Sequence, residues 1–301
     1  MWTLLAFISA LCLGFYDVSK KIALRKNSVM DVLTMSVCIS AVLLSIPLLL
    51  SRLIPNTMVG THFYVPMMDL QAHGLTIIKS VIVLSSWVFG YISLKHLPIS
   101  IVSPAQATRP MWTLLGALLL FNEQLNTWQW VGILLAIGTI IVFSFKQSSA
   151  VKNSSEPKYY IALALAILMG ACSGLYDKYL MRQYDHNAVQ VYYTIYQSLM
   201  MLIVWTVFRF REHRKDVPHH PVVNKWVIGL ISIFLIISDN VYMLALRDPD
   251  SLIAVVSTIR RGGAVIGFAY GLIWLKEKDP IHKILCMLGI GAGLIFLALG
   301  S

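Results

Sequence analysis

Charge is scarce in this chain. Only 13% of its 301 residues are Asp, Glu, Lys or Arg, while 57% are hydrophobic, and the mean hydropathy is +0.73. A water-soluble domain of this composition would have too little polar surface to cover its core. The scarcity of charge therefore excludes a soluble globular protein.

Cysteine and the usual metal-binding patterns are scarce as well. The four cysteines all lie in apolar stretches, where we interpret them as small buried residues rather than disulfides or metal ligands. Neither a His-Glu-x-x-His pattern nor a Cys/His cluster occurs in or beside these stretches. We therefore expect no metal and no cofactor, and the sequence argues against an enzyme.

Acidic residues are few, with 14 Asp and Glu against 24 Lys and Arg, and the formal net charge is +10. Such an excess could indicate a nucleic-acid partner. Most of the Lys and Arg, however, lie at the ends of apolar stretches, as membrane topology requires, and no basic stripe alternates with aromatic residues. We expect membrane lipid and a small molecule as partners, and no nucleic acid.

Long apolar runs are abundant. Each has about the 20 residues that an α-helix needs to cross the hydrocarbon core of a bilayer. The sequence predicts an all-α integral membrane protein with ten transmembrane helices, over residues 2–24, 30–52, 74–95, 99–121, 126–145, 158–181, 188–210, 225–246, 251–275 and 281–299.

The chain contains an internal repeat. The pattern Cys-x-Gly-x-Tyr-Asp ends at Asp17 and again at Asp177, in the first and sixth predicted helices. Because five helices is an odd number, the second unit enters the membrane from the opposite side. The prediction is two inverted-topology repeats, residues 1–146 and 158–301, joined by a linker over 147–157, and inverted repeats are typical of alternating-access transporters.

The Lys and Arg residues predict an orientation. They are concentrated at the connections after the first, third, fifth, seventh and ninth helices. The positive-inside rule places that side in the cytoplasm, and both termini outside it.

Helices four and five carry a further pattern. Prolines interrupt 101–110, a Glu ends the helix at 123, and Gln and Gly follow within 128–132; the second half keeps Glu277. Together with the ten spans, this resembles the EamA-type branch of the drug/metabolite transporter superfamily. The resemblance implies a ten-helix transporter in the plasma (inner) membrane of a bacterium.

Charged residues within the spans are candidate site residues, because an ionised side chain at the bilayer centre costs about 2.5–3.5 kcal/mol on insertion scales. Depth along the helices predicts two mirrored clusters in opposite halves of the membrane. Asp17 has lysines at 20 and 21 on its own helix, whereas Asp177 needs a partner from another helix, and Arg260 or Arg261 lies at a compatible depth. The polar candidates are Asp17, Arg109, Asp177, Asp239, Asn240, Arg260 and Arg261.

Helix breaks and aromatic residues complete the candidate site. Corresponding interruptions in the two halves indicate a transporter binding site, although ordinary proline kinks are common in membrane helices. Aromatic walls would suit an amphipathic or aromatic substrate, although Tyr and Trp also populate membrane interfaces. The breaks are Pro104, Pro110, Gly262 and Gly263, and the aromatic candidates are Tyr16, Trp87, Tyr91, Tyr176 and Tyr242.

The leading hypothesis is a secondary active transporter, with export as the expected direction, of a small organic solute such as an amino acid or another polar metabolite. Asp177 could also carry a proton, so coupling to protons or another ion gradient stays open. The alternatives are a flippase for a lipid phosphate or lipid-linked sugar and, less favoured, an integral-membrane enzyme. We expect a monomer rather than a dimer.

Overall fold

A computed structural model describes residues 1–25, 27–97, 102, 105–106, 108–148, 157–213, 222–273 and 280–300. Within these residues the protein is helical, and no β-strand occurs. The helices are α1 (Trp2–Leu24), α2 (Val29–Leu53), α3 (Pro55–Met58), α4 (Leu70–His96), α5 (Arg109–Leu120), α6 (Thr127–Ser148), α7 (Pro157–Met181), α8 (His186–His213), α9 (Lys225–Arg247), α10 (Ile253–Arg261), α11 (Ala264–Ile273) and α12 (Pro280–Leu299).

Six of these helices are long and apolar enough to cross a membrane, and the protein is an integral membrane protein. They are Trp2–Leu24, Val29–Leu53, Leu70–Gly90, Pro157–Met181, His186–Phe210 and Lys225–Arg247. The apolar helices Arg109–Leu120, Thr127–Val142 and Ile284–Leu299 are shorter. The predicted number of ten spans stays a prediction, as do the boundaries of the two repeats.

The predicted continuous helix over 251–275 is interrupted. The helix α10 ends at Arg261 and α11 begins at Ala264, so Gly262 and Gly263 form a turn between them. In the predicted helix over 99–121, the described residues Val102, Ala105 and Gln106 are helical and Thr108 is in a turn. The helix α5 then begins at Arg109, with a proline in its first turn. Short interrupted helices leave backbone groups that must be satisfied within the protein, which is tolerated where they are buried or line a cavity.

Side-chain caps explain where several helices begin. The hydroxyl of Ser28 accepts a hydrogen bond from the Asp31 backbone N–H at 3.2 Å, and the Asp69 carboxylate accepts one from the Ala72 N–H at 3.0 Å. Each cap satisfies one of the N–H groups that the first turn of a helix leaves unpaired.

Two sets of connections lie on opposite faces of the helix bundle. On face I, Asn27 between α1 and α2 exchanges hydrogen bonds of 2.7 and 2.9 Å with Val223, which precedes α9. The rings of His96 at the end of α4 and Tyr159 at the start of α7 stack at 4.0 Å on the same face.

Face II carries the remaining connections. Asn187 at the start of α8 donates a 2.7 Å hydrogen bond to the carbonyl of His62, which precedes α4. Arg247 at the end of α9 pairs with Asp185, which precedes α8, at 3.1 Å. The long helices therefore run in alternating directions between the two faces.

The pattern of the main helix–helix contacts is unchanged when each helix of one half of the chain is replaced by its counterpart in the other half. The contact of α1 with α9 corresponds to that of α7 with α4, and the contact of α5 with α7 corresponds to those of α10 and α11 with α1. Three further contacts each join a helix to its own counterpart in the other half, so the replacement leaves them unchanged: α2 with α8, α6 with α12, and α5 with α10. The main apolar cluster joins residues of α1, α5, α6, α7, α8, α9, α10 and α12.

The turn between α10 and α11 touches the backbone of α1 directly. A Cβ atom on Gly263 would lie 2.4 Å from the Ala10 carbonyl oxygen, which cannot rotate away. We expect Gly263→Ala to destabilise the protein by about 1–3 kcal/mol, the usual cost of overpacking. Gly267→Ala is the matched control, because a Cβ there meets nothing within 4 Å. Thermal unfolding of the two purified variants measures the difference, and equal midpoints would contradict this close approach.

Candidate functional site

A cavity of about 360 Å³ lies between α1, α4, α5, α7, α8, α9 and α10. Five basic and three acidic side chains line it, so its formal charge has an excess of two positive charges. A cleft with one dominant sign of charge and low-dielectric walls concentrates oppositely charged ligands. The ionisable lining residues are Asp17, Lys20, Lys79, Arg109, Asp177, Asp239, Arg260 and Arg261.

The cavity contains both of the charge clusters that the sequence placed in separate halves of the membrane. Asp17 and Arg109, expected in one half, line the same space as Asp177, Asp239 and Arg260, expected in the other. The charges therefore act on one another through a single cavity.

Asp177 pairs with Lys79, and not with Arg260 or Arg261 as the sequence predicted. The Lys79 ammonium donates to the Asp177 carboxylate, and the two side chains are only 2% and 11% exposed. The reason is the packing of α4 along α7, which brings a lysine from the middle of α4 against the carboxylate. The lysine carried its own signal, since an ionisable residue inside a predicted span indicates a functional position.

An aromatic ring from α8 completes the surroundings of Lys79. Its ammonium lies 4.4 Å from the centroid of the Tyr193 ring, within the range of a cation–π contact. Tyr193 also lines the cavity. Sequence reasoning missed this tyrosine, because it lies among three tyrosines in 192–196 and nothing in the pattern distinguishes it.

A second pair joins α9 and α10. Arg260 donates to Asp239 at 2.7 Å and to the Ser238 hydroxyl at 3.2 Å, and its guanidinium lies 4.1 Å from the Tyr242 ring centroid. Ser238 is itself fixed to α1 by the Ser9 hydroxyl, which donates to its carbonyl at 2.8 Å. The Arg260 guanidinium is therefore held in place from three directions.

Asp17 lies in the cavity with Lys20 from its own helix, the residue that the sequence placed beside it. Lys20, Arg261 and Arg260 are the cations whose charges attract the ionised Asp17. Tyr16 lines the same wall, with the Lys20 ammonium 5.5 Å from its ring centroid.

Arg109 differs from the other cations of the cavity. Its guanidinium donates to the neutral Gln106 side chain at 2.9 Å. Its buried Nε has no hydrogen-bond partner, which is also true of the Arg260 Nε. Among the described residues, no carboxylate pairs with it, and the charges of Arg261 and Lys20 repel it. Desolvating a charge without pairing it is unfavourable, so an anion bound beside Arg109 would stabilise this cavity.

Several predicted site residues lie elsewhere. The Tyr176 hydroxyl donates to the Leu75 carbonyl at 3.2 Å, and Asn240 donates to Asn187 at 3.0 Å and to Gln190 at 2.7 Å. Both attach one helix to another and do not line the described cavity wall. Trp87 and Pro110 do line the cavity, whereas Pro104 and the side chain of Tyr91 lie outside the described residues.

Gly170 on α7 makes room for Arg109. A Cβ on Gly170 would lie 2.4–2.7 Å from the guanidinium, which is the mobile end of its side chain. We expect Gly170→Ala to fold but to displace Arg109 and weaken anion binding about tenfold or more, since this is equivalent to losing about 1.4 kcal/mol of a charge-assisted hydrogen bond.

Gly174→Ala is the matched control for that prediction. It lies one turn along the same helix wall, and its Cβ would meet nothing closer than 3.9 Å. Anion-induced thermal stabilisation of both variants is the measurement. If both variants lose the anion-induced stabilisation equally, or if neither loses it, Gly170 does not position Arg109.

Buried polar contacts connect the helix ends on face II. Lys178 donates to the carbonyl and the hydroxyl of Ser251. Glu123 accepts hydrogen bonds from the first N–H groups of α10, at Ile253 and Ala254, at 2.6 and 3.2 Å. Burial raises the pKa of the Glu123 carboxyl, and these two donors oppose that shift. The start of α10 is thereby fixed to α7 and to the α5–α6 connection.

No group of three or more His, Cys, Asp or Glu side chains within the described ranges could hold a metal ion. The polar chemistry of the cavity is that of ammonium and guanidinium donors and three carboxylates. It is suited to binding a charged solute through ion pairs and hydrogen bonds.

Comparisons with known proteins agree with this architecture. A solved structure described only as a crystal structure of a protein is similar over 99% of this chain and 96% of its own, with a TM-score of 0.76 and 13% sequence identity, which shows a shared fold alone. The chain matches none of the curated proteins. The model of the EamA-like transporter family matches residues 1–145. The resemblance inferred from the sequence is thus confirmed: residues 1–145 match the EamA-like transporter family, which is part of the drug/metabolite transporter superfamily.

Proposed function

We propose that this protein is a secondary active transporter of a small organic solute that carries a carboxylate or phosphate, with export from a bacterial cell as the expected direction. The observation that carries the proposal is Arg109, a guanidinium in the central cavity that no described carboxylate neutralises. A guanidinium presents paired N–H donors that match a carboxylate or phosphate.

The charge of the cavity supports an anion over a zwitterion. Its lining has two more basic than acidic side chains, so a solute with net negative charge complements it better than a neutral amino acid does. Lys79, Arg260 and Arg261 each have a carboxylate that attracts them, and Lys20 has Asp17. This leaves Arg109 as the proposed anchor within the described cavity. Asp17 lines the same cavity and could meet an amine or hydroxyl group of the solute.

Alternating access through two inverted repeats is the proposed mechanism. The exchange of the two halves in the helix contacts supports it, as do the interruptions at Gly262 and Gly263 and before Arg109. The proposed transporter crosses the membrane ten times, in two five-helix units. Face I would lie in the cytoplasm, because most Lys and Arg residues of the connections belong to that face.

Proton coupling is proposed at the Lys79–Asp177 pair. A proton on Asp177 would neutralise the carboxylate and release Lys79, which could then bind the solute anion. Proton and anion would then cross the membrane together, and export follows where the outward gradient of the anion exceeds the inward gradient of protons. Lys79, Asp239 and Arg260 are the charges that act on Asp177, so the same carboxylate senses both the proton and the occupant of the cavity.

Transport by purified protein in proteoliposomes tests the proposal. Vesicles are loaded with carboxylates, amino acids, organic phosphates, choline or glucose, and the efflux of each solute is followed with and without a pH gradient. We expect efflux of one or more organic anions, and this efflux should be faster when the inside of the vesicles is more acidic than the outside. We expect no efflux of choline or glucose. Efflux of choline or glucose without efflux of any anion would overturn the proposal.

A further inference from the structure

A second void, of about 290 Å³, lies between α2, α4 and α8 and is lined almost entirely by apolar side chains. Leu33 contributes from α2, Val88 and Ile92 from α4, and Val204 from α8. None of the residues in this lining is acidic, lysine or arginine, in contrast to the eight ionisable groups of the charged cavity. We call it the apolar void.

Trp87 connects the two spaces. It lines the charged cavity and the apolar void, and it also lines a narrow space of about 50 Å³ beside Tyr193 and Asp239. The indole is partly exposed and therefore faces these spaces from one position on α4. A solute bound at Arg109 would have a charged region on one side of this tryptophan and an apolar region on the other.

We propose that the transported anion is amphipathic: its carboxylate or phosphate binds at Arg109, and an aromatic ring or short alkyl group passes Trp87 into the apolar void. This inference rests on the proposed function for the charged end and adds the class of solute. It also assigns Trp87 and Val204 as residues that determine specificity.

The size of the apolar void favours a soluble amphiphile over a membrane lipid. An apolar cavity of roughly 150 Å³ is enough to bind benzene, so 290 Å³ has room for one or two rings or a short alkyl chain. The two acyl chains of a phospholipid exceed it. Burial of each additional methylene should strengthen binding about fourfold until the void is filled.

Binding of a graded series of carboxylates tests the inference. The probes are butyrate, hexanoate, octanoate and phenylacetate, and affinity is taken from the rise in thermal stability of the protein in lipid nanodiscs. We expect about a fourfold gain per methylene, followed by a plateau, and tighter binding of phenylacetate than of butyrate. We expect Val204→Trp to remove the gain per methylene, because the indole fills the void.

Ile203→Trp is the matched control, since this neighbouring side chain is 65% exposed on the outer surface, and it should leave the whole series unchanged. Val204→Ala should move the plateau to longer chains, which keeps the test decisive if the tryptophan variant folds poorly.

The outcomes separate the inference from the proposed function. Equal binding of short and long carboxylates that is lost in Arg109→Gln would leave the proposed function standing and overturn the amphipathic solute. If the gain in affinity with chain length persists in Val204→Trp, the amphipathic solute is also overturned and the proposed function still stands. A bilayer lipid would then be the occupant of the void. Flipping of a fluorescent phospholipid in proteoliposomes would replace the soluble amphiphile by a lipid, and the absence of any carboxylate binding would contradict both proposals.

Discussion

Asp177→Asn is expected to lower the stability of the folded protein by about 3–5 kcal/mol and to abolish transport. The substitution removes the carboxylate that neutralises Lys79, whose side chain is only 2% exposed. Breaking a buried ion pair by removing one partner leaves an uncompensated charge in a low-dielectric environment, which is the costly case. Thermal or denaturant unfolding of the protein in nanodiscs measures the loss.

The double variant Lys79→Met with Asp177→Leu distinguishes structure from function. Because both charges are gone, we expect most of the stability to return, since well-packed apolar residues often replace a buried pair without loss. Transport should stay absent, because the pair is the proposed site of proton coupling. A double variant that transports at the wild-type rate would show that the pair is structural only.

The surface ion pair of Arg247 and Asp185 is the control for these variants. The Arg247 side chain is 52% exposed, so Arg247→Gln should cost no more than about 1 kcal/mol. A loss as large as that of Asp177→Asn would show that burial does not govern the cost.

Arg109→Gln is expected to stabilise the empty protein while abolishing its response to anions. The guanidinium has a buried Nε without a partner, and a buried unsatisfied polar group costs about 1–3 kcal/mol. Its removal also ends the repulsion from Arg261. A binding residue that destabilises the empty protein is what a trade-off between stability and function predicts.

Arg109→Lys separates the effect of charge from that of geometry. An ammonium keeps the positive charge but loses the planar fork, so we expect binding of carboxylates to weaken without disappearing. Thermal unfolding with and without a bound carboxylate measures all three proteins. Arg109→Gln that is less stable than the wild type and still binds anions would show that Arg109 is structural.

Hydropathy predicted the long helices well, because length and apolar composition determine whether a helix can cross a membrane. The predicted segment 158–181 corresponds to Pro157–Met181, and 225–246 to Lys225–Arg247. The segments that contain helix breaks were harder to predict from hydropathy. A hydropathy window averages over Gly262 and Gly263, and only the residue types themselves indicate that the helix stops there.

The candidate site was less predictable, because it depends on which helices pack together. Lys79 lies inside the predicted span 74–95 but was not among the candidate site residues, and nothing in the sequence states that α4 packs along α7. Consecutive residues on an α-helix point about 100° apart, so a cavity-facing Asp177 or Asp239 does not imply a cavity-facing neighbour. Tyr176 and Asn240 follow that rule and bind other helices, whereas Tyr16 lies beside Asp17 in the cavity wall.

Labelling of the cavity from the two sides of the membrane tests the central claim most directly. Ser173 lines the cavity on α7, and Ser173→Cys in a variant whose four native cysteines are replaced places a single thiol there. Alternating access of one anion-binding cavity predicts that a membrane-impermeant thiol reagent reaches this thiol from face I or from face II, depending on the imposed gradient. A bound organic anion should slow both reactions. Labelling from one face alone under every gradient, and at the same rate with and without the anion, would contradict the account.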